Sequence, residues 1–130
     1  MPLPANLTVI PANAKPSLVF AFDTGPGNML IDALVQHFTR GRLRYDNNAA
    51  LARSGHLHRG LLAQLMRDPY LKLKPPKSTG REYFGAPYLK KLLDLARQRL
   101  KPADLIHTVT VFTATSIVDG LQRFVFCCLW

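Results

Sequence analysis

The junction between an apolar run and a glycine-rich turn constrains the fold of this chain most. The run Leu18–Phe22 (LVFAF) favours a β-strand and ends abruptly at residues 23–28, DTGPGN. A helical pattern follows from about Met29 to Thr39, where apolar side chains recur at helical spacing. A strand that passes through such a turn directly into a helix is typical of an α/β protein.

The rest of the chain predicts few strands and many helices. Leu7–Pro11 (LTVIP) predicts a strand that neighbours Leu18–Phe22. Capping residues and apolar periodicity predict helices from Asp46 or Asn47 to Arg53, Arg59 to Arg67, Pro87 to about Leu100, and Pro102 to about Asp119. We expect a loop over residues 69–85 and a last strand over residues 123–130 (RFVFCCLW). Residues 1–130 would then form one partial α/β domain with a helix-rich insertion.

Composition limits the class of protein. The chain has 130 residues, the length of one domain, and with 48% apolar and 19% charged residues it is too apolar to be disordered. No apolar stretch reaches about 18 residues, the length that a membrane span needs, and the N-terminus lacks a signal-peptide pattern. The adjacent Cys127 and Cys128 exclude a disulfide scaffold, and we expect both to be buried thiols of a cytoplasmic protein.

The net charge of +9, from 17 Lys and Arg against 8 Asp and Glu, raises the alternative of a small basic nucleic-acid-binding module. The cations are spread from Lys15 to Arg123, and aromatic residues are not interleaved with them as a base-stacking surface requires. This distribution favours solvated basic faces over a nucleic-acid surface. Binding that weakens steeply with salt would identify the alternative.

The turn DTGPGN is the first candidate site. Asp23 would stand at the carboxyl end of a strand, where open α/β sheets bind ligands. Gly25 and Gly27 would let backbone N–H groups approach an anion, and the helix that begins near Asn28 would add its positive end. A carboxylate beside such a turn suits phosphoryl transfer. A plain strand-to-helix turn, with glycines chosen for positive φ, fits the same pattern.

The segment KSTGRE is the second candidate site. The charges of Lys77 and Arg81, with the hydroxyls of Ser78 and Thr79, could hold a phosphate or a sugar carboxylate. The glycine spacing of a phosphate-binding loop is absent and no strand precedes the segment. An ordered surface loop is therefore the alternative.

Two other polar features predict structural roles. Asp32 follows Asn28 by one helical turn inside an apolar helix, where it would brace the turn. His56 and His58 have no Cys, Asp or Glu at ligand spacing nearby, so we expect no metal site.

Taken in order, ANLTVI, DTGPGNMLID and DPYLKLKPPKSTGREYF resemble the anhydro-N-acetylmuramic acid kinase family, bacterial sugar kinases of peptidoglycan recycling. The resemblance runs from about Ala5 to Cys127 and corresponds to a middle portion of the family. It implies the actin-like sugar-kinase fold, in which ATP and sugar bind in a cleft between two α/β lobes. It also implies a cytoplasmic enzyme that uses ATP, Mg²⁺ and anhydro-N-acetylmuramic acid and that forms a homodimer.

The resemblance implies a mechanism as well. Water attacks the anomeric carbon of the 1,6-anhydro ring while O6 receives the γ-phosphoryl group, giving N-acetylmuramic acid 6-phosphate. Asp23 matches the family's catalytic base. The other motif positions would line the cleft, bind substrate or phosphate, or brace the site: Thr24, Gly25, Gly27, Asn28, Lys77, Ser78, Thr79, Arg81 and Glu82.

The sequence departs from the family at both ends. The family's N-terminal phosphate loop, of the type GTSxDG, is missing, and MPLP precedes ANLTVI where the family has glycines (GGIAN). RFVFC resembles the strand that leads to the family's CGGG nucleotide motif, but this chain continues as CCLW. We therefore expect a family fragment with little or no kinase activity alone, because catalysis needs both sides of the cleft.

Overall fold

The computed structural model describes residues 1–97 and 100–127. Its strands and helices follow one another in the order β1 (Ala5–Val9), β2 (Phe20–Gly25), α1 (Met29–Phe38), α2 (Ala50–Arg53), α3 (Arg59–Leu65), α4 (Pro69–Lys72), α5 (Arg81–Phe84), α6 (Ala86–Ala96) and α7 (Pro102–Leu121). Short 3₁₀ turns lie at Pro16–Leu18 and Asn47–Ala49, and a π-helical segment, Gln122–Phe126, continues α7. The α/β class is therefore confirmed, with helices predominating.

The two strands form an antiparallel pair, as expected for neighbouring strands joined by a short connection. Asn6 pairs with Asp23, whereas Ala5 pairs with Gly25, so Thr24 has no residue opposite it. Such a bulge bends the strand and redirects the side chains around it. It lies directly beside Asp23.

Helix α7 is the centre of the main core. Pro102 occupies its first turn, where the missing N–H costs nothing. The side chains of Leu105, Ile106, Val109 and Phe112 are at most 1% exposed. Helices α1, α2 and α3 and strand β2 all contact α7, so this helix fixes where DTGPGN sits in the molecule.

A smaller core lies under the sheet, where Val9, Phe22 and Val125 pack together. Gly120 allows α7 to lie close against β2. A Cβ at this position would be 2.8 Å from Cγ2 of Thr24 and 3.4 Å from the ring of Phe22.

The expected loop over residues 69–85 contains two one-turn helices, α4 and α5. Asp68 is the N-cap of helix α4, and its carboxylate accepts a hydrogen bond from Tyr70 N at 2.9 Å. Pro69 follows the cap in the first helical position, where proline is favoured. Helix α5 begins directly after Gly80. Helices this short carry no apolar periodicity, which is why the sequence did not reveal them.

The predicted last strand is wrong for residues 123–127. The segment Gln122–Phe126 is π-helical, and Phe124 and Val125 pack against Phe22. A strand needs a neighbour, but β1 occupies one edge of β2 and Lys77 bonds to its other edge at Asp23. Cys127 is exposed rather than buried, and residues 128–130 lie outside the described part of the chain.

Within the residues that the structure describes, none of the helices has both the length and the apolar character needed to cross a bilayer.

Candidate active site

The carboxylate of Asp23 is held from two sides. Asp23 lies near the carboxyl end of β2, and only 8% of the residue is exposed. Oδ1 accepts a hydrogen bond from Nδ2 of Asn6 at 2.9 Å, and Oδ2 accepts one from the backbone N of Thr79, also at 2.9 Å. Because each carboxylate oxygen has two lone pairs, each retains the capacity to accept another proton or hydrogen bond.

The two sequence motifs meet at this residue. The segment Lys77–Thr79 runs along the free edge of β2, where Asp23 N donates to the carbonyl of Lys77 at 3.1 Å. Thr79 N then returns a bond to the Asp23 carboxylate. The motifs DTGPGN and KSTGRE are thus joined through both the backbone and the side chain of Asp23.

The Lys77 ammonium group is directed into the protein. Its Nζ donates to the carbonyls of Tyr70 and Leu71 at 3.2 and 3.3 Å, and it lies 4.8 and 5.0 Å from the ring centres of Tyr70 and Phe124. Burial lowers the pKa of this amine. Lys77 therefore ties its loop to the end of α4.

Ser78, Thr79 and Glu82 share one open pocket of about 290 Å³. The rings of Tyr70 and Tyr83 form its apolar wall together with Pro69 and Leu73. The hydroxyl of Thr79 is buried and has no hydrogen-bond partner among the described residues. A pocket that combines aromatic rings, hydroxyls and a carboxylate suits a polyhydroxylated ligand.

Arg81 is separated from that group. It lines a different pocket, of about 230 Å³, with Pro2, Met29 and Phe84. One turn of helix is enough to direct Arg81 and Glu82 to different sides.

The glycines of DTGPGN allow close packing of the chain on itself. A Cβ on Gly27 would lie 2.2 Å from the carbonyl oxygen of Leu3, and its φ of +57° favours glycine. A Cβ on Gly25 would lie 2.7 Å from Oγ of Ser116. Thr24 is 1% exposed, and its hydroxyl donates to the carbonyl of Ala5 at 3.3 Å. Protein atoms fill the space that the absent side chains leave.

Asn28 links three parts of the chain. Its Oδ1 accepts from Leu3 N at 2.8 Å, and its Nδ2 donates to Oδ2 of Asp32 at 3.1 Å. Asp32 is buried, and the loss of solvent raises the pKa of its carboxyl. The predicted bracing role of Asp32 is therefore confirmed by this contact.

The structure adds polar residues that the sequence did not single out. Tyr70 donates its hydroxyl to the Asp23 carbonyl at 3.0 Å, and Tyr83 donates to the Asp68 carboxylate at 2.6 Å. Burial, with the nearby Asp23 and Glu82 carboxylates, raises the pKa of Tyr70 to about 12. Burial, with the hydrogen bond to Asp68, raises the pKa of Tyr83 to about 12. Both hydroxyls therefore remain donors at neutral pH.

Asn6 is the other residue that sequence reasoning missed. A signal existed, because asparagine is depleted in strands and here interrupts an apolar run. Its partner could not be read from the sequence, since the pairing register of β1 and β2 was unknown.

Among the described residues, no group of three or more His, Cys, Asp or Glu side chains is arranged to hold a metal ion. The carboxylate of Asp23 is the acidic group at the centre of the site. A single carboxylate does not make a protein-built Mg²⁺ cage, because an octahedral site needs six oxygen ligands.

A sequence model of the family described as anhydro-N-acetylmuramic acid kinase matches residues 4–127, which includes the whole site. The chain belongs to the anhydro-N-acetylmuramic acid kinase family.

Curated relatives carry the same description. The chain is 43% identical over 122 residues to an anhydro-N-acetylmuramic acid kinase of Caldanaerobacter subterraneus, covering 93% of this chain and 31% of the relative. It is 46% identical over 122 residues to one of Francisella tularensis, with 94% and 31% covered. One of Bacillus cereus is 43% identical over 121 residues, with 93% and 31% covered. The chain thus spans about 31% of the length of these kinases.

Proposed function

We propose that this chain provides the base-bearing wall of an ATP-dependent anhydro-N-acetylmuramic acid kinase, with Asp23 as general base. The observation that carries the proposal is the state of Asp23, which is nearly buried and held from two sides yet keeps free acceptor capacity. A general base needs that combination of fixed orientation and an available lone pair.

In the proposed reaction, Asp23 accepts a proton from the water that attacks the anomeric carbon of the anhydro sugar. The bond between this carbon and O6 breaks, and O6 forms a bond to the γ-phosphorus of ATP. ADP leaves with the electron pair of the broken phosphoanhydride bond. The products are N-acetylmuramic acid 6-phosphate, ADP and the proton that Asp23 releases to solvent.

The pocket lined by Thr79, the residue whose backbone N bonds to Asp23, is proposed to hold the sugar. Ser78, Thr79 and Glu82 would bind its polar groups, because all three line this pocket. Lys77 would brace this loop, because its amine is engaged by backbone carbonyls. Arg81 would act from the other side of α5, outside this pocket.

The turn residues are proposed to position the base. Thr24, Gly25, Gly27 and Asn28 set the path of the chain around Asp23 through the contacts described above. The helix α1 that follows would direct its positive end toward the phosphate side of the cleft.

We propose that the remaining parts of the cleft lie in polypeptide outside the matched segment, as part of an actin-like, cytoplasmic, homodimeric kinase of peptidoglycan turnover. The nucleotide would be bound there. Bound Mg²⁺ would neutralise phosphate charge during transfer, and the ATP phosphates rather than a cage on this chain would hold it. The 130 residues alone are expected to show no measurable kinase activity.

The test compares two proteins. One is the 130-residue chain, and the other is a chimera in which residues 4–127 replace the matching segment of the Francisella tularensis relative. Mass spectrometry would follow the formation of N-acetylmuramic acid 6-phosphate from ATP, Mg²⁺ and the anhydro sugar. The proposal expects product from the chimera and none from the chain alone. A folded chimera without product would contradict it.

A further inference from the structure

The side chain of Asn6 is placed to act on Asp23. It lies directly opposite Asp23 in the register of the two strands, and its Nδ2 donates to Oδ1 of Asp23 at 2.9 Å. The bulge at Thr24 begins at the next position, so the paired residues stand where the sheet changes direction.

Asn6 and the core residues of β1 lie on opposite faces of the strand, so the bond from Asn6 to Asp23 can be removed without disturbing the core. Val9, on the other face of the strand, is buried against Phe22 and Val125. Asn6 and Thr8 are exposed on the opposite face. Removal of the Asn6 amide therefore opens no cavity, and what it removes is one hydrogen bond.

The amide of Asn6 is itself oriented. The Thr8 hydroxyl donates to Oδ1 of Asn6 at 3.4 Å, which leaves Nδ2 to face the carboxylate. With Thr79 N bound to the other oxygen of Asp23, the carboxylate is restrained at both of its oxygens. A carboxylate that is bonded at one oxygen only is restrained less, and other side-chain rotamers become accessible to it.

We infer that Asn6 is a positioning residue that fixes the side-chain rotamer of Asp23 and so holds the general base in its productive orientation. The inference rests on the proposed function for its catalytic consequence. The effect on the rotamer of Asp23 is independent of catalysis.

The first test uses the 130-residue chain and the three-bond couplings that report χ1 of Asp23 in solution. The parent chain is expected to show one rotamer, and Asn6→Ala is expected to show averaging between rotamers. Val9→Ala is the matched control, because it weakens the core on the other face of the same strand without touching Asp23. It should keep the single rotamer. A single Asp23 rotamer in Asn6→Ala would overturn the inference.

The second test measures kcat and KM in the chimera. Asn6→Ala is expected to lower kcat by about 10- to 100-fold with little change in KM, since a misdirected base slows the chemical step. The isosteric Asn6→Asp, which lacks the donor, should lose at least as much activity. If Asn6→Ala loses no more kcat than Val9→Ala, Asn6 is not a positioning residue.

The two proposals can fail separately. Full activity in an Asp23→Asn chimera would refute Asp23 as the base, while the rotamer measurement would still decide whether Asn6 orients it. An inactive Asp23→Asn chimera combined with a fully active Asn6→Ala chimera would refute the role of Asn6 alone.

Discussion

Thr79 donates its backbone N–H to the carboxylate of Asp23 at 2.9 Å, although 56 positions separate the two residues. This bond joins a glycine-rich strand end to a loop that the chain reaches only after four intervening helices, α1 to α4. Since the same carboxylate also accepts from Asn6, three separate segments meet at one acidic group. The proposed chemistry depends on this meeting point.

Gly27, in the glycine turn, can be compared with Gly41 to separate the free-energy cost of lost close packing from the cost of backbone strain. Gly27 and Gly41 both have positive φ, +57° and +78°, but a Cβ would strike the carbonyl of Leu3 only at Gly27. Gly41→Ala is expected to cost about 1–2 kcal/mol for the left-handed backbone alone. Gly27→Ala should cost clearly more and displace Leu3–Ala5. Urea unfolding of both variants would measure the difference, and equal losses would show that the packing at Gly27 is unimportant.

Asp68 supports the wall of the pocket that Ser78, Thr79 and Glu82 line. It is 5% exposed, caps α4 through Tyr70 N and accepts from the Tyr83 hydroxyl. Asp68→Ala leaves both donors without this partner and is expected to destabilise the chain by about 1–3 kcal/mol. Asp94→Ala is the control, because its surface pair with Arg97 at 3.6 Å should contribute about 0–1 kcal/mol. Thermal or urea unfolding would rank them, and a smaller loss for Asp68→Ala would contradict this role.

Alkaline pH should lower the free energy of unfolding through the tyrosines of this pocket wall. Tyr70 and Tyr83 have folded-state pKa values of about 12 against 10 when unfolded, and burial raises the pKa of Tyr88 as well. The unfolded chain therefore loses these protons first, so stability is full below pH 10 and falls as the pH rises toward 12. Burial lowers the pKa of Lys77, so this amine makes the stability rise with pH instead. Its contribution stops changing above the unfolded pKa of 10.5.

Unfolding free energies measured from pH 9 to 12 would test this dependence. Tyr83→Phe removes one of the contributing groups and should make the decline shallower. A decline as steep as that of the parent chain would show that Tyr83 does not contribute.

The sequence predicted those elements whose signal is local. Helices α1 and α7 were predicted close to their observed bounds, because their apolar stripes and their Asn28 and Pro102 starts lie within one segment. The same holds for the bond from Asn28 to Asp32, which spans one helical turn. Family membership could also be predicted, because the motifs stand in order along the chain.

Contacts that depend on tertiary structure could not be predicted. No local pattern pairs Asn6 or Thr79 with Asp23, because both contacts depend on strand register and on how the loop returns to β2. The run RFVF has strand propensity, but without a free neighbouring edge it continues α7 and buries Val125 against Phe22. The inward direction of the Lys77 amine likewise follows from α4, which the sequence did not reveal.

The most direct test of the account is the rate of N-acetylmuramic acid 6-phosphate formation by the chimera with and without Asp23→Asn. The substitution keeps the size of the side chain and removes the base, so the rate should fall by roughly 10²- to 10⁴-fold. Asp94→Asn, at an exposed carboxylate on α6, should leave the rate unchanged. A chimera with Asp23→Asn that retains its rate to within about tenfold, well short of a base's usual contribution, would contradict the assignment of Asp23 as the general base.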